Sequence, residues 1–456
     1  MTVRKVGCPC GVLFGGNANN GANAGLAYAN SNNTPSNTSA NIGSHLCLHI
    51  MIFLGQKCLE DMGATALPLG KKNNGTRKVL VGTPVVWAAE RSGQESKAMK
   101  RIGNLYQEII SIENLKLADK KARKGKSVRV AVKLPNGETI LRRELPYGIR
   151  LFDKDKERNI LKLHEALLTK AFRTSEYDVF KIYEPKERVI YRLPYYPDRI
   201  VHHAIMNILE PIWVRTFTHN TFSCVKGRGI EGCARHVGKI IRKYGGKPLY
   251  CLKIDLKKYY PSIDHGVMKS IVRRKIKDKD LLWLIDGIID SAEGLPIGNY
   301  LSQYLANLML CYFMHEANEV LRMDCAEYAD DIVFFSDSKE RLREAFTGFI
   351  RPRLAALRLE VKGNWQIFPI AENRQDKHGR ALDYVGFKFY RRQKLIRKSI
   401  KQNFCRAAAK LGKRGRQLDA RAYKQAVAPW LGWARHSNSK HLLRTIIKQE
   451  HYESIL

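Results

Sequence analysis

The sequence predicts an α+β chain on three observations. Apolar residues recur at helical spacing between 100 and 210, β-favouring runs flank acidic residues between 248 and 390, and a strongly basic helical region follows 390. At 456 residues and 44% apolar content the chain is long enough for several domains and a sizeable core.

Taken in order, residues 1–98 read as a low-complexity, disordered N-terminal extension without sustained periodicity. Within it, GGNANNGANAGLAYANSNNTPSNTSANIGS at 15–44 holds nine asparagines and no charge. The apolar run LCLHIMIFL at 46–54 is far shorter than the roughly 20 residues that span a bilayer, and it lacks the basic flank of a secretory signal. From Met99, KRIGNLYQEIISIENLKLADKKARKGK aligns Ile102, Leu105, Ile109 and Ile112 on one helical face before a basic loop. RNILKLHEALLTKAF at 158–172 predicts a second helix, and VHHAIMNILE at 201–210 a third that ends at Pro211. His202 and His203 are adjacent on that helix, cannot share one face as a metal pair, and read as packing residues.

PLYCLKIDLKKYYPSID at 248–264 predicts a strand with Tyr250, Leu252, Ile254 and Leu256 on one face and Cys251, Lys253 and Asp255 on the other. CAEYADDIVFFSD at 325–337 predicts a hairpin with Ala329, Asp330 and Asp331 near its turn, and LDYVGFKFY at 382–390 a further strand. From Arg391 to Leu456 there are 17 Lys and Arg against 3 acids, beside Trp430 and Trp433, which suits a surface that follows a phosphate backbone.

Over the whole chain 79 Lys and Arg face 43 Asp and Glu, a formal charge of +36 and a pI near 9.9, so the expected partner is a polyanion, with nucleic acid ahead of an anionic membrane. Ten cysteines without a paired CxxC unit do not indicate a disulfide framework or zinc ribbon, and they fit a reducing cytoplasm. Cys8, Cys10, Cys47, Cys58 and His45 have spacings too irregular for a structural metal site.

In so basic a chain, clustered carboxylates need a reason, because neighbouring carboxylates repel unless a cation lies between them. Asp255, Asp330 and Asp331 are the candidates for holding two Mg2+ ions, or Mn2+ in their place, for phosphoryl transfer. The plainer alternative is a polar hairpin turn, a common place for Asp.

The order of the motifs decides between these. IDLKKYYPSID, GLPIGNYLSQYLANL, EYADDIVFF, LEVKGNW and LDYVGFKF follow one another as in reverse transcriptases, which the chain resembles from about Met99 onward. The resemblance implies a right-hand polymerase: fingers at 99–247, an antiparallel-sheet palm at 248–390 and a basic helical thumb at 391–456. It implies that Asp255, Asp330 and Asp331 are catalytic metal ligands, and that Tyr260 blocks a nucleotide 2′-hydroxyl. It implies further that Lys186 and Arg188 grip the incoming triphosphate, that Ile297 and Gln303 lie at the nucleotide, and that Lys226, Arg228, Tyr328 and Gly386 meet template or primer.

One motif narrows the family. LPIGNYLSQ has Ile297 and Gln303 where many reverse transcriptases, those of group II introns included, carry Gln and Pro. That pattern, with LGWARHSN at 431–438, resembles the polymerases of diversity-generating retroelements, which are bacterial or phage-encoded and copy a template RNA into adenine-mutagenised cDNA. The resemblance implies template RNA, a cDNA or primer strand, dNTPs and a basic helical accessory variability protein as partners, with no membrane. The alternatives are a group II intron or retron-like enzyme and a non-catalytic RNA-binding scaffold of the same fold. Asn codons begin with two adenines, and the 15–44 tract resembles the variable segments of retroelement target proteins. It is therefore read as translated template region, with the functional chain beginning near Met99, against the alternative of a polar tail.

Overall fold

The computed structural model describes residues 100–133, 138–183, 187–413 and 420–447, together with the two-residue strands Leu13–Phe14 and Ala29–Asn30, which pair antiparallel. Apart from Ala29–Asn30, the tract at 15–44 lies outside the described residues. So do the cysteine and histidine group near the N-terminus and Lys186.

Helices α1 (Tyr106–Ile110) and α2 (Ile112–Ala122) occupy the segment predicted as one helix. Ser111, in extended conformation, breaks it and caps α2 by accepting the Asn114 N–H, while the Asp278 carboxylate takes the N–H groups of Leu105 and Tyr106 at the start of α1. Ile102 and Leu105 therefore precede the helix, and Ile102 instead bridges to Ile276. The hairpin of β1 (Val128–Lys133) and β2 (Thr139–Glu144) leads into α3 (Tyr147–Asp153) and α4 (Lys156–Leu168), the latter close to its predicted span. A second hairpin joins β3 (Asp178–Tyr183) to β4 (Glu187–Arg192). Helix α5 (Ile200–Thr216) corrects the expectation of a stop at Pro211. Proline removes one N–H, but Leu209 and Trp213 on either side of it are wholly buried, and that packing carries the helix through. Helix α6 (Gly229–Lys243) precedes the central sheet.

That sheet orders its strands β8 (Gln366–Pro369), β5 (Tyr250–Asp255), β7 (Asp331–Ser336), β6 (Asp324–Tyr328), all antiparallel. The strand expected over 248–264 is confined to β5, because the chain turns at 257–262, with Lys258 at φ +45°. Between β5 and β6 lie α7 (His265–Lys275), α8 (Lys279–Ile289) and α9 (Tyr300–Leu321), and after β7 come α10 (Lys339–Ala345) and α11 (Arg351–Ala356).

Both faces of the sheet are covered. Leu252, Ile254, Ile332 and Phe334 pack into a core with α5, α7, α8 and α9, whereas Cys251, Val333, Phe335 and Tyr328 pack into a second core with α6 and the C-terminal elements. The segment 382–390, expected as one strand, is a hairpin of β9 (Leu382–Tyr384) and β10 (Phe387–Phe389). Val385 and Gly386 turn between them at positive φ, and β11 (Lys394–Ile396) extends the pair to three strands. Helices α12 (Lys398–Lys413), α13 (Ala420–Arg435) and α14 (Lys440–Ile446) complete the basic region, with Trp430 and Trp433 buried in the second core rather than displayed to solvent.

Candidate active site

The three aspartates converge because of strand register. β5 and β7 pair so that Asp255 lies directly opposite Asp331. The alternation that buries Cys251 and Phe335 brings both carboxylates to the same face of the sheet. The turn of the β6–β7 hairpin needs Ala329 at φ +56°, and it leaves Asp330 only 2% exposed, its carbonyl accepting the Leu256 N–H at 3.2 Å. Sequence pattern and structure agree on this hairpin and on Asp255 facing away from the Leu252 and Ile254 side.

The cleft at the aspartates, about 220 Å³, is lined by Lys253, Asp255, Asp330, Asp331, Asn364, Gln366 and Arg397 among others. Lys362 donates to Asp255 Oδ2 at 2.7 Å, and its main-chain N–H to the Asp255 carbonyl at 2.9 Å. Lys253 lies 3.6 Å from Asp331 Oδ1 and donates to the Asp383 carbonyl. Arg397, paired with Asp383 at 2.6 Å, closes the cleft. The sequence reading assigned no role to these cations, although Lys362 sits inside the quoted LEVKGNW motif.

Burial and the neighbouring Asp331 charge raise the Asp255 carboxyl above its ordinary range, against the pull of Lys362. Burial, then the charges of Asp255 and Asp331, push the Asp330 carboxyl up further. Asp255 Oδ1 and Asp330 Oδ1 are enclosed and receive no hydrogen bond. Enclosed carboxylate oxygens with unmet acceptor capacity, in a group of like charges, are suited to a hard divalent cation. Among the described residues no group of three or more His, Cys, Asp or Glu side chains is placed to hold a metal ion. Mg2+ does not require one, since it is commonly held by one or two carboxylates with the substrate's phosphates supplying other ligands. The residues therefore fit the ion.

Tyr260, five residues after Asp255, is 4% exposed, and its carbonyl accepts the Leu295 N–H at 2.8 Å. This ties the turn after β5 to the 294–299 loop, where Gly294 at φ +61° has room for no side chain: a Cβ would meet Tyr260 O at 2.6 Å. Ile297 is half-buried against Ile182 and Ile190, and its carbonyl accepts the Tyr191 N–H at 2.9 Å. Arg188, on β4 opposite Ile182, thus belongs to the hairpin against which Ile297 packs. Gln303 is buried within α9.

The remaining residues are more scattered. Lys226 is exposed, whereas Arg228 donates to the carbonyls of Thr218 and Thr221 and so braces the loop before α6. Tyr328 is buried opposite Asp331, and Gly386 forms the β9–β10 turn at φ +85°.

Sequence reasoning missed Glu327, which is wholly buried beside the Asp330–Asp331 hairpin. Its Oε2 accepts from Thr221 Oγ1 at 2.8 Å, and burial pushes its carboxyl up to about 8 against the opposing influence of Thr221 and Arg228. An acid in the middle of a buried strand was the available signal.

Residues 184–364 match the family described as reverse transcriptase (RNA-dependent DNA polymerase). Protein YkfC of Escherichia coli (strain K12) is 30% identical over 154 residues, covering 30% of this chain and 40% of that protein. The chain thus spans well under two thirds of the curated relative it matches. Apo telomerase from Candida Tropicalis is similar at 11% identity and a TM-score of 0.37, over 74% of this chain and 70% of that one. Telomerase from Candida albicans in complex with a telomeric RNA fragment is similar at 9% identity and a TM-score of 0.39, over 70% of this chain and 60% of that one. The matched residues include Asp255, Asp330 and Asp331.

Proposed function

We propose that the protein copies an RNA template into cDNA at Asp255, Asp330 and Asp331. The observation that carries this reading is the register of Asp255 opposite Asp331, with the enclosed Asp330 beside them at the hairpin turn. Two divalent ions held there would lower the pKa of a primer 3′-hydroxyl and neutralise the departing pyrophosphate. The chain's own residues do the positioning. Asp255 and Asp330 offer oxygens that no protein donor takes, while Lys362 and Lys253 balance part of the negative charge around them.

Arg188, with Lys186, grips the triphosphate, a task that suits cations because the phosphate charge must be held in line with the attacking hydroxyl. Buried Tyr260 stands as the 2′-hydroxyl block. In this reading the β3–β4 hairpin and its flanking helices are fingers, the central sheet a palm, and α12 to α14 a thumb whose charge suits a nucleic-acid duplex. No helix among the described residues is long and apolar enough to cross a membrane. Primer extension on an RNA template with Mg2+, abolished by Asp330→Asn, is the expected result. Extension retained in that variant, or absent from the parent with every template, metal and added protein tried, rejects the polymerase in favour of an RNA-binding scaffold.

We infer, on the LPIGNYLSQ motif, that the enzyme belongs to a diversity-generating retroelement and makes adenine-directed errors with an accessory variability protein. Glutamine at position 297 would offer donors and an acceptor near the new pair, whereas isoleucine offers only shape. The half-buried packing of Ile297 against Ile190 supports a role through that wall. Ile297→Gln should lower misincorporation opposite template adenine several-fold while extension persists. An unchanged error spectrum rejects this explanation.

A further inference from the structure

The Asp330–Asp331 hairpin closes one side of the central sheet, since β6 is the last strand in its order. An edge strand presents a row of N–H and C=O groups with no strand to pair them. Here the segment 220–222, on the way from α5 to α6, covers that edge at Glu327. Thr221 forms a parallel bridge to Glu327, the Glu327 N–H donates to the Asn220 carbonyl at 2.9 Å, and the Phe222 N–H donates to the Glu327 carbonyl at 3.1 Å. The Thr221 hydroxyl adds its bond to Glu327 Oε2 at 2.8 Å. Glu327 is thus joined to the segment through its N–H, its carbonyl and its carboxyl.

The segment is in turn anchored to the helices. Arg228 donates to the carbonyls of Thr218 and Thr221, and Asn307 of α9 donates to the Ser223 carbonyl at 2.6 Å. The Asn220 side chain donates to Asn318, also on α9, at 2.9 Å. These bonds fix the segment against the helical body, and Glu327 fixes the hairpin against the segment. Asp330 follows Glu327 by three residues, while Asp255 stands on another strand. A shift of β6 at Glu327 therefore moves the Asp330 carboxylate relative to Asp255.

An acid is a costly way to fill this position. Cys325, on the same face of β6, and Ile332, directly opposite Glu327, both pack into the first core, where an apolar side chain would serve. Glu327 is wholly buried, and its Oε1 makes no hydrogen bond. A buried polar atom left unmatched calls for an explanation. The bond to Thr221 supplies one, because an apolar residue of the same size cannot make it.

We propose that Glu327 is a positioning residue: through Thr221 it latches the 220–222 segment to the hairpin and so fixes Asp330 against Asp255. Its bearing on extension rests on the polymerase reading; the latch itself rests on these hydrogen bonds.

The test uses the full chain and two variants. Glu327→Met keeps the size and removes the acceptor, and Thr221→Val keeps the shape and removes the donor, so the second keeps the test valid should the first fail to fold. Hydrogen exchange is read at the main-chain N–H groups of Phe222 and of residue 327. Primer extension is read as kcat per active enzyme, from burst amplitude, and as KM for dNTP. In both variants the two amides should exchange about fivefold faster, the worth of one net hydrogen bond, and kcat should fall about fivefold while KM stays as in the parent. Glu327→Gln, which keeps an oxygen for Thr221, should exchange and extend as the parent does. Parent-like exchange in both variants, parent-like kcat in both, or a Gln variant as impaired as the Met variant overturns the proposal. So does a raised KM at unchanged kcat, which assigns the residue to nucleotide binding. Faster exchange in the variants of a parent that extends no primer would sink the polymerase reading and leave the latch standing.

Discussion

The cleft at the aspartates and a second cavity, among α3, β4, the start of α5 and the 298–300 loop, differ in charge, in construction and in how they are encoded. The cleft at the aspartates is built on adjacent strands of one sheet, and burial, with the charges of neighbouring carboxylates, raises the carboxyls of Asp255 and Asp330. The second cavity draws on segments near 126, 147, 176–202 and 298–300, and its wall mixes Lys126, Arg192 and Arg199 with Glu176 and Asp178. The difference teaches that enclosed acceptor oxygens among like charges, as at Asp255 and Asp330, point to a cation, whereas a wall that mixes Lys126, Arg192 and Arg199 with Glu176 and Asp178 names no ligand by its charge.

The largest effect expected from breaking this comparison comes from Asp330→Asn. Extension should fall to background, yet without divalent ions the variant should melt higher than the parent at pH 8. A buried acid whose pKa is raised on folding contributes stability below its unfolded pKa and loses it as pH rises through the folded value, and Asn has no such loss. The advantage should therefore shrink as pH falls toward 4. Calorimetry in EDTA across that range checks this. A variant that melts lower at pH 8 would mean that Asp330 is compensated within the protein after all, and the cleft would lose its claim to a cation.

This contrast also explains what was legible in the sequence. Asp255, Asp330 and Asp331 could be found because strand alternation and a two-residue turn are local, so a few residues determine where each side chain points. The hairpin at 382–390 was read as one strand because aromatic alternation continues across Val385 and Gly386, and only the positive φ of both residues reveals the turn. Pro211 misled for the opposite reason, since a local helix-breaking signal lost to long-range burial of Trp213. The second cavity was not legible at all. His202 looked like a packing residue, and nothing in the sequence near it shows that Lys126 and Tyr147 fold to the same wall.

An intermediate effect should come from Gly298→Ala, which acts where the two regions meet. Gly298 adopts φ +124°, and a Cβ there would lie 2.5 Å from the Tyr191 carbonyl oxygen. The strain should cost about 1–3 kcal/mol of stability. It should also shift Tyr191, which both lines the cavity and donates to the Ile297 carbonyl. Extension should therefore fall several-fold alongside the loss of stability. A variant that loses stability, read by thermal melts, yet extends as the parent does would show that the loop does not couple the regions.

The smallest effect on extension is expected from Glu327→Gln, which sharpens the anionic side of the comparison without entering its cleft. Glu327 is enclosed beneath the hairpin, and its carboxyl sits at about 8 chiefly through burial, so near neutrality the folded protein keeps it protonated. Its contribution to stability is complete below the unfolded value near 4.5 and is lost as pH rises through about 8. Glutamine keeps a hydrogen-bonding oxygen for Thr221 and never ionises, so it should match the parent near pH 5 and gain on it as pH rises. The gain should be on the order of 1 kcal/mol per pH unit within that window. Extension at pH 7 should stay close to that of the parent, since both side chains are then neutral. Denaturant melts at pH 5, 7 and 8.5 measure the difference. A constant offset across the three would show that Glu327 is ionised in the folded chain, paired with Arg228 more strongly than the loop-bracing bonds of that arginine imply.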